Sequence, residues 1–320
     1  MTTTRVAAID CGTNSIRLLV ADCDPATGEL VDLDRRMTVV RLGQGVDRTG
    51  RLAPEALERT FAACRAYAEI IAGFGVGPDR TRFVATSASR DAENREDFVR
   101  GVREILGVDP EVISGAQEAE YSFTGATREL AGAAGAADLP RPFLVVDIGG
   151  GSTEFVVGTE TVTAARSVNV GCVRMTERHL ATDTGLVDPP TEDLVAAMRA
   201  DIEAALDEAA AEVPLAEART LVGLAGSVTT VAAIALGLEE YDSAAIHHSR
   251  IPYEKVREIT HRMLTTPHAT RAAIPVMHPG RVDVIGAGAL VLLSIMERVG
   301  AKEVVVSEHD ILDGIAWSAV

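Results

Sequence analysis

One pattern occurs twice in this chain, in two widely separated places. Val6–Asp22 reads VAAIDCGTNSIRLLVAD, and Phe143–Gly158 reads FLVVDIGGGSTEFVVG. In each, an apolar strand runs into an aspartate (Asp10 or Asp147), turns through D-x-G-x-x-S, and leaves on a second apolar strand. Internal repetition of this kind implies a duplicated architecture. A turn rich in Gly, Ser, Thr and Asn points backbone N–H groups and small hydroxyls into one space, which suits an anion. An Asp-Gly hairpin also needs its glycine for conformation alone, so either turn by itself fits a plain hairpin. Recurrence in the same strand context favours a shared purpose, and two such loops facing each other would grip a phosphate chain.

A chain of 320 residues has room for two domains with separate cores. Between the repeats, strands alternate with helices, which predicts an α/β layer architecture. Pro54 opens a helix through about Ala72, Arg82–Thr86 reads as a strand, and Ser114 with Gln117 forms a capping-box pattern for the next helix. Ala131–Pro142, AGAAGAADLPRP, reads as a surface connection. Beyond the second repeat come a strand near Ala164–Val168, a helix over Thr191–Glu212 and a strand Thr220–Ala225 entering a helix at Gly226. Helices over Tyr253–Leu264 and Val284–Val299, a strand Glu303–Ser307 and a closing helix capped by Ser307 and Asp310 complete the reading.

The formal net charge is −17, and only Lys255 and Lys302 are lysines. That acidic balance argues against nucleic acid and anionic membranes as partners. A phosphate site in such a chain must draw its positive charge from arginine, whose planar fork binds phosphate oxygens bidentately. The cysteines, Cys11, Cys23, Cys64 and Cys172, show no metal-ligand or disulfide spacing and read as reduced, buried thiols. No signal-peptide pattern precedes the first strand, and the apolar run Ile285–Met296 is too short to cross a bilayer. The expectation is a cytoplasmic protein.

Glu118 is the sharpest single candidate for chemistry. It falls in the first turn of a helix, where the dipole favours a carboxylate, and a carboxylate beside bound phosphate can take a proton from an attacking water. Arg90, in T-S-A-S-R-D at a strand-to-helix junction, suits a phosphate contact or a surface pair with Asp91 or Glu93. Gly226, Ser227 and Thr229 repeat the strand–glycine–helix arrangement. Asp147 and Glu154 flank the second loop, and Asp10 holds the corresponding place in the first; acids there suit Mg²⁺, which prefers oxygen ligands. His247 and His248 would point to opposite faces of an extended segment, and no histidine is assigned a role.

Together these residues resemble the exopolyphosphatase/guanosine pentaphosphate phosphohydrolase (Ppx/GppA) family, in a short two-domain form. The matches are D-C-G-T-N-S at Asp10–Ser15, T-S-A-S-R at Thr86–Arg90, S-G-x-x-E-A at Ser114–Ala119 and D-I-G-G-G-S-T-E at Asp147–Glu154. They continue with G-x-A-G-S-V-T-T at Gly223–Thr230 and R-x-x-I-P…P-G-R-x-D at Arg271–Asp283.

The resemblance implies an α/β fold of two actin-like (ASKHA, ribonuclease H-like) domains flanking an interdomain cleft. The first would span 1–124, with the helix 308–320 packing back on it, and the second 125–307. It implies Glu118 as the water-activating glutamate, with Asp147 and Glu154 as catalytic acids. Asn14, Ser15, Arg90, Gly149, Gly150, Gly151, Ser152, Thr153, Gly226 and Ser227 would contact phosphate, and Asp147, Glu154 and Asp10 would bind Mg²⁺. Gln117 stands where many relatives have a second glutamate. The chain ends where the family core ends, which favours short polyphosphates.

The expected activity is Mg²⁺-dependent release of terminal orthophosphate from inorganic polyphosphate, by a homodimer. Removal of the 5′ γ-phosphate of guanosine pentaphosphate is the nearest alternative. A sugar or acetate kinase of the same superfamily and a non-catalytic phosphate-binding regulator are the others.

Overall fold

The computed structural model describes residues 3–130 and 139–320. Of the connection expected over Ala131–Pro142, residues 131–138 therefore lie outside the described residues. The chain divides into two compact units, Met1–Arg128 with Asp310–Val320, and Glu129–His309.

The first unit is built on strands β1 (Thr4–Cys11), β2 (Ser15–Asp24), β3 (Glu29–Val39), β4 (Thr81–Ala85) and β5 (Glu111–Val112), in the order β3-β2-β1-β4-β5. The first three form an antiparallel meander, and β4 and β5 extend the sheet in parallel with β1. Helices α1 (Pro54–Gly73), α2 (Ser87–Asp91), α3 (Arg95–Leu106) and α4 (Gly115–Leu130) complete it, with the chain's last helix, Ile311–Trp317.

Strand β1 is apolar almost throughout because both its faces are covered, the pattern of a central strand. Ala7, Ile9 and Cys11 pack in a core with Cys64, Phe98 and Val102, from α1 and α3. Val6 and Ala8, on the other parity, pack with Ile311, Leu312, Ile315 and Ala316 of the terminal helix. That helix crosses α4 in backbone contact: a Cβ on Gly125 would lie 1.8 Å from Asp310 O, and one on Gly314 would lie 2.1 Å from Tyr121 O. Arg128 covers the Trp317 ring at 3.8 Å, a cation–π contact.

In the second unit, β6 (Phe143–Ile148), β7 (Thr153–Gly158) and β8 (Val162–Val168) repeat the meander. They are followed by helix α5 (Cys172–Leu180), a short hairpin of β9 (Ala181–Thr182) with β10 (Gly185–Leu186), and helix α6 (Glu192–Glu212). Next come β11 (Thr220–Leu224), helix α7 (Ala225–Ala235), β12 (Arg250–Pro252), helices α8 (Tyr253–Thr265) and α9 (Ile285–Val299), and β13 (Glu303–Val306). The main sheet order is β12-β13-β11-β6-β7-β8, with β6, β11 and β13 parallel.

Each unit thus carries the same arrangement, an antiparallel three-strand meander extended by parallel strands, which is the ribonuclease H-like plan of actin-like domains. All four cysteines are free and buried. Among the described residues, no helix is long and apolar enough to cross a membrane.

Candidate active site

The two repeated turns fold alike. In the first, Gly12 N–H donates to Ser15 O at 2.9 Å; in the second, Gly149 N–H donates to Ser152 O at 3.0 Å. The carbonyls inside each turn are drawn to one side by donors packed behind it. Thr13 O accepts from Gly43 N–H (2.9 Å), and Asn14 O accepts from Val40 and Arg41 N–H (3.0 and 2.8 Å). In the second turn, Gly149 O accepts from Cys172 N–H (3.0 Å), and Gly150 O from Val173 and Arg174 N–H (2.9 and 3.0 Å). Gly151 O accepts from Arg174 Nε at 2.7 Å.

A trans peptide points its C=O and the following N–H in opposite directions. Carbonyls drawn back therefore turn the N–H groups of Asn14 and Ser15 forward in the first loop, and those of Gly150, Gly151 and Ser152 in the second. Each loop thus turns backbone N–H groups to one side, an arrangement that suits an anion.

The backing elements approach so closely that only glycine fits. A Cβ on Gly171 would lie 2.6 Å from Gly150 C and O, and one on Gly43 would lie 2.2 Å from Thr13 Cγ2. Gly171 precedes α5, a helix that sequence reasoning missed; its only signal is the apolar spacing of Cys172, Val173, Met175 and Leu180.

The strands flanking the two loops diverge in charge. Asp147 pairs in register with Glu154, whereas Asp10 pairs with Arg17. Asp147 and Glu154 are both buried, and Ser167 Oγ donates to Glu154 Oε1 at 2.7 Å. Two carboxylates directly across a ladder repel, and hard oxygen pairs of this type suit Mg²⁺. Among the described residues no cluster of three or more His, Cys, Asp or Glu gathers, and a pair of carboxylates matches the one or two that Mg²⁺ takes while keeping its waters.

Asp10 is differently placed. Its Oδ2 accepts from Arg17 Nε and Nη2 at 2.9 and 2.6 Å, while Oδ1 is buried with no hydrogen-bond partner. Burial pushes its carboxyl above the usual range, against the opposing pull of Arg17. With Oδ2 bonded to the Arg17 guanidinium, one of the two Asp10 oxygens already serves a cation.

Arg90 sits on α2, and its partners are neither Asp91 nor Glu93: Nη1 donates to Ile113 O and to Glu118 Oε2, both at 3.1 Å. The capping box forms as its spacing predicts, with Ser114 N–H bonding Gln117 Oε1 (3.0 Å) and Gln117 N–H bonding Ser114 Oγ (3.3 Å). It starts α4 and leaves Glu118 buried in the first turn at 7% exposure. Thr13 Oγ1 and Ser87 Oγ, 2.9 Å apart, tie the first loop to α2. Asn14, Ser15, Arg90 and Glu118 thus lie on adjacent elements of one unit.

In the second unit, Gly149, Gly150, Gly151 and Ser152 form the loop. Thr153, at the end of the loop, is fully buried, and its hydroxyl donates to Val170 O at 2.7 Å.

Helix α7 opens with Ala225, which takes a left-handed φ of 67°, followed by Gly226 and Ser227. A non-glycine residue held there stores strain of a kind that clusters at functional sites. Arg281, to which the sequence assigned no role, lies against Gly226 and donates from Nη1 to Gly226 O and Thr230 Oγ1, both at 3.0 Å. A Cβ on Gly226 would sit 2.3 Å from the Arg281 guanidinium carbon. Arg271, by contrast, is buried and spent on Asp188 and on the carbonyls of Met263, Thr266 and Val282.

The histidines correct the sequence reading. His248 takes a left-handed φ of 62°, so His247 and His248 stack with ring centres 3.7 Å apart instead of facing away, and His309 lies 4.8 Å from His247. Tyr241 Oη lies 2.7 Å from Thr229 Oγ1 and 2.6 Å from Glu308 Oε1. Burial raises the pKa of this phenol, with the Glu308 carboxylate adding to the shift.

Comparison with known proteins gives concordant results. The pattern of the Ppx/GppA phosphatase family matches residues 19–320. Exopolyphosphatase 2 of Mycobacterium tuberculosis is 50% identical over 329 aligned positions, covering 99% of both chains. The crystal structure of an exopolyphosphatase-like protein superposes with a TM-score of 0.92 at 43% identity, covering 99% of this chain and 98% of that one. The Aquifex aeolicus PPX-GPPA enzyme gives a TM-score of 0.79 at 31% identity, over 99% of this chain and 100% of that one.

Proposed function

This chain belongs to the Ppx/GppA phosphatase family, and from that premise we propose that it is a phosphoanhydride hydrolase releasing terminal orthophosphate from inorganic polyphosphate, with Mg²⁺ as cofactor and short chains preferred. The observation that carries the reading is the pair of backbone nests, each with its carbonyls bonded behind the loop. In a chain of net charge −17, such nests bind phosphate without adding side-chain charge.

In this mechanism each loop offers its amides to phosphate oxygens, those of Asn14 and Ser15 in the first unit and of Gly150 and Gly151 in the second, and the Arg90 guanidinium of the first unit adds its charge. Glu118 orients a water and takes its proton as the water oxygen bonds to the terminal phosphorus; the bridging P–O bond breaks and its electrons stay on the shortened chain. Asp147 and Glu154 would hold Mg²⁺, which when bound offsets charge on the phosphate oxygens. Phosphoryl transfer of this kind is mostly positioning and electrostatics.

The name of the Mycobacterium relative favours polyphosphate; the family description, which spans both activities, keeps guanosine pentaphosphate as the second reading. Phosphate release measured in parallel on tripolyphosphate, long polyphosphate, guanosine pentaphosphate and ATP tests the assignment. Fastest turnover is expected on tripolyphosphate. Release from guanosine pentaphosphate alone would transfer the assignment to the nucleotide, and ADP formation only with an added acceptor would make the protein a kinase.

A further inference from the structure

We propose that Arg17 is a positioning residue for the first phosphate loop, held in place by Asp310, the residue at which the chain re-enters the first unit. The proposal rests on the phosphate-binding reading of that loop. The two hairpins are built alike, yet the residue facing the loop's aspartate is Glu154 in one and Arg17 in the other. The exchange turns a repelling pair into an attracting one and closes the neck of the first hairpin just below its loop.

The guanidinium is shared. Nε and Nη2 serve Asp10 Oδ2, and Nη1 serves Asp310 Oδ2. Both carboxylates are buried, at 4% and 3% exposure, while the Arg17 side chain keeps 21%. For Asp310, burial alone would raise the carboxyl pKa, but Arg17 and the Leu312 N–H outweigh it and hold the group below the usual range.

Asp310 has little freedom to follow a displaced partner. Its Oδ1 accepts from Leu312 N–H at 3.0 Å, and its own N–H donates to Asp313 Oδ2 at 2.9 Å. Asp313 is in turn paired with Arg35 Nη2 at 2.5 Å. The absence of a Cβ on Gly125 seats Asp310 O directly on α4, the helix whose first turn carries Glu118. Arg17 therefore takes its position from a rigid junction and passes it to Asp10. The Asp10–Arg17 rung lies next to the Cys11–Ile16 rung that the turn closes, so holding it in register holds the base of the loop that carries the Asn14 and Ser15 N–H groups. A lysine cannot replace it, because a single ammonium lacks the planar fork that reaches two carboxylates at fixed geometry.

The test is a double-mutant cycle of Arg17→Lys and Asp310→Asn, read as KM and kcat for tripolyphosphate, with Ile315→Val, a buried apolar position of the terminal helix, as control. Asparagine still caps a helix, so Asp310→Asn loses the ion pair and keeps the cap. Each single variant should raise KM about tenfold, the order expected for one charge-assisted hydrogen bond, and the double variant should be no worse than the poorer single one. Ile315→Val should lower the melting temperature and leave KM at the parent value. If Asp310→Asn does not fold, Asp310→Glu, which keeps the charge and misplaces it, takes its place in the cycle.

Parent-like KM in either single variant, or effects that multiply in the double variant, would overturn the proposal. A KM rise in Ile315→Val equal to that in Asp310→Asn would overturn it too, since seating of the terminal helix would then be the whole cause. A parent enzyme that releases no phosphate from tripolyphosphate would refute the functional reading instead.

Discussion

Glu118 and Arg90 are bonded to each other before any substrate is considered. The arginine therefore orients the carboxylate and, in the proposed mechanism, also offers positive charge to phosphate. Glu118→Gln should lower kcat at least about 10²-fold, the usual contribution of a general base, with KM little changed. Near-parent turnover, measured as phosphate release, would remove it from the mechanism. Asp147→Asn should weaken the response to Mg²⁺, because a neutral amide is a poorer partner for a hard dication. Identical Mg²⁺ titrations of variant and parent would show that the metal is held elsewhere. Glu118, Asp147 and the loop glycines stand out in the sequence because they sit in contiguous patterns. Arg17 and Arg281 also fall inside quoted patterns, but their roles were not legible, because their partners, Asp310 and Gly226, are distant in the chain and only folding brings them together.

The strand-to-helix alternation was readable where segments are long and carry strong boundary signals. Pro54 begins α1 as expected, and Thr191 caps α6 by accepting from the Leu194 N–H. Helix α5 escaped because it is short and begins after Gly171, with no side-chain cap to announce it. The stacking of His247 and His248 escaped because adjacent residues face apart only in extended backbone, and a left-handed φ at His248 breaks that geometry.

Helix α5 matters to function through its first turn, which holds the carbonyls of Gly149 and Gly150. Gly171→Ala forces a Cβ against the backbone of Gly150, not against a flexible side-chain end. Overpacking of this kind costs about 1–3 kcal/mol. Here the strain falls on the loop, so KM for polyphosphate should rise along with a lowered melting temperature. Gly73→Ala, where a Cβ would meet nothing within 4 Å, should leave KM unchanged. Equal KM values in both variants would show that the backing of the loop by α5 is not functional.

The chain leaves the first unit after Arg128 and returns at Asp310, so the first unit's fold depends on the last segment of the sequence. The returning helix is the cover of one face of β1 and β2. Ile311, Leu312, Ile315 and Ala316 bury Val6, Ala8, Leu19, Ala21 and Cys23. Each large side chain contributes about 1.5–3 kcal/mol when fully buried. Loss of the three large ones therefore removes an amount comparable to the roughly 5–15 kcal/mol that holds a domain together.

Truncation after His309 should unfold the first unit and leave the second, whose core lies within its own residues, intact. The cysteines report this separately. Burial pushes the Cys23 thiol up to about 11 and makes it unreactive in the native fold, and burial likewise raises the Cys172 thiol in the second unit. Alkylation at neutral pH followed by mass mapping should leave all four cysteines of the full chain unmodified. In the truncated chain, Cys11, Cys23 and Cys64 should react while Cys172 stays protected. Protection of Cys23 after truncation would mean that the sheet holds without its terminal helix, and modification of Cys172 would mean that the second unit cannot stand on its own core.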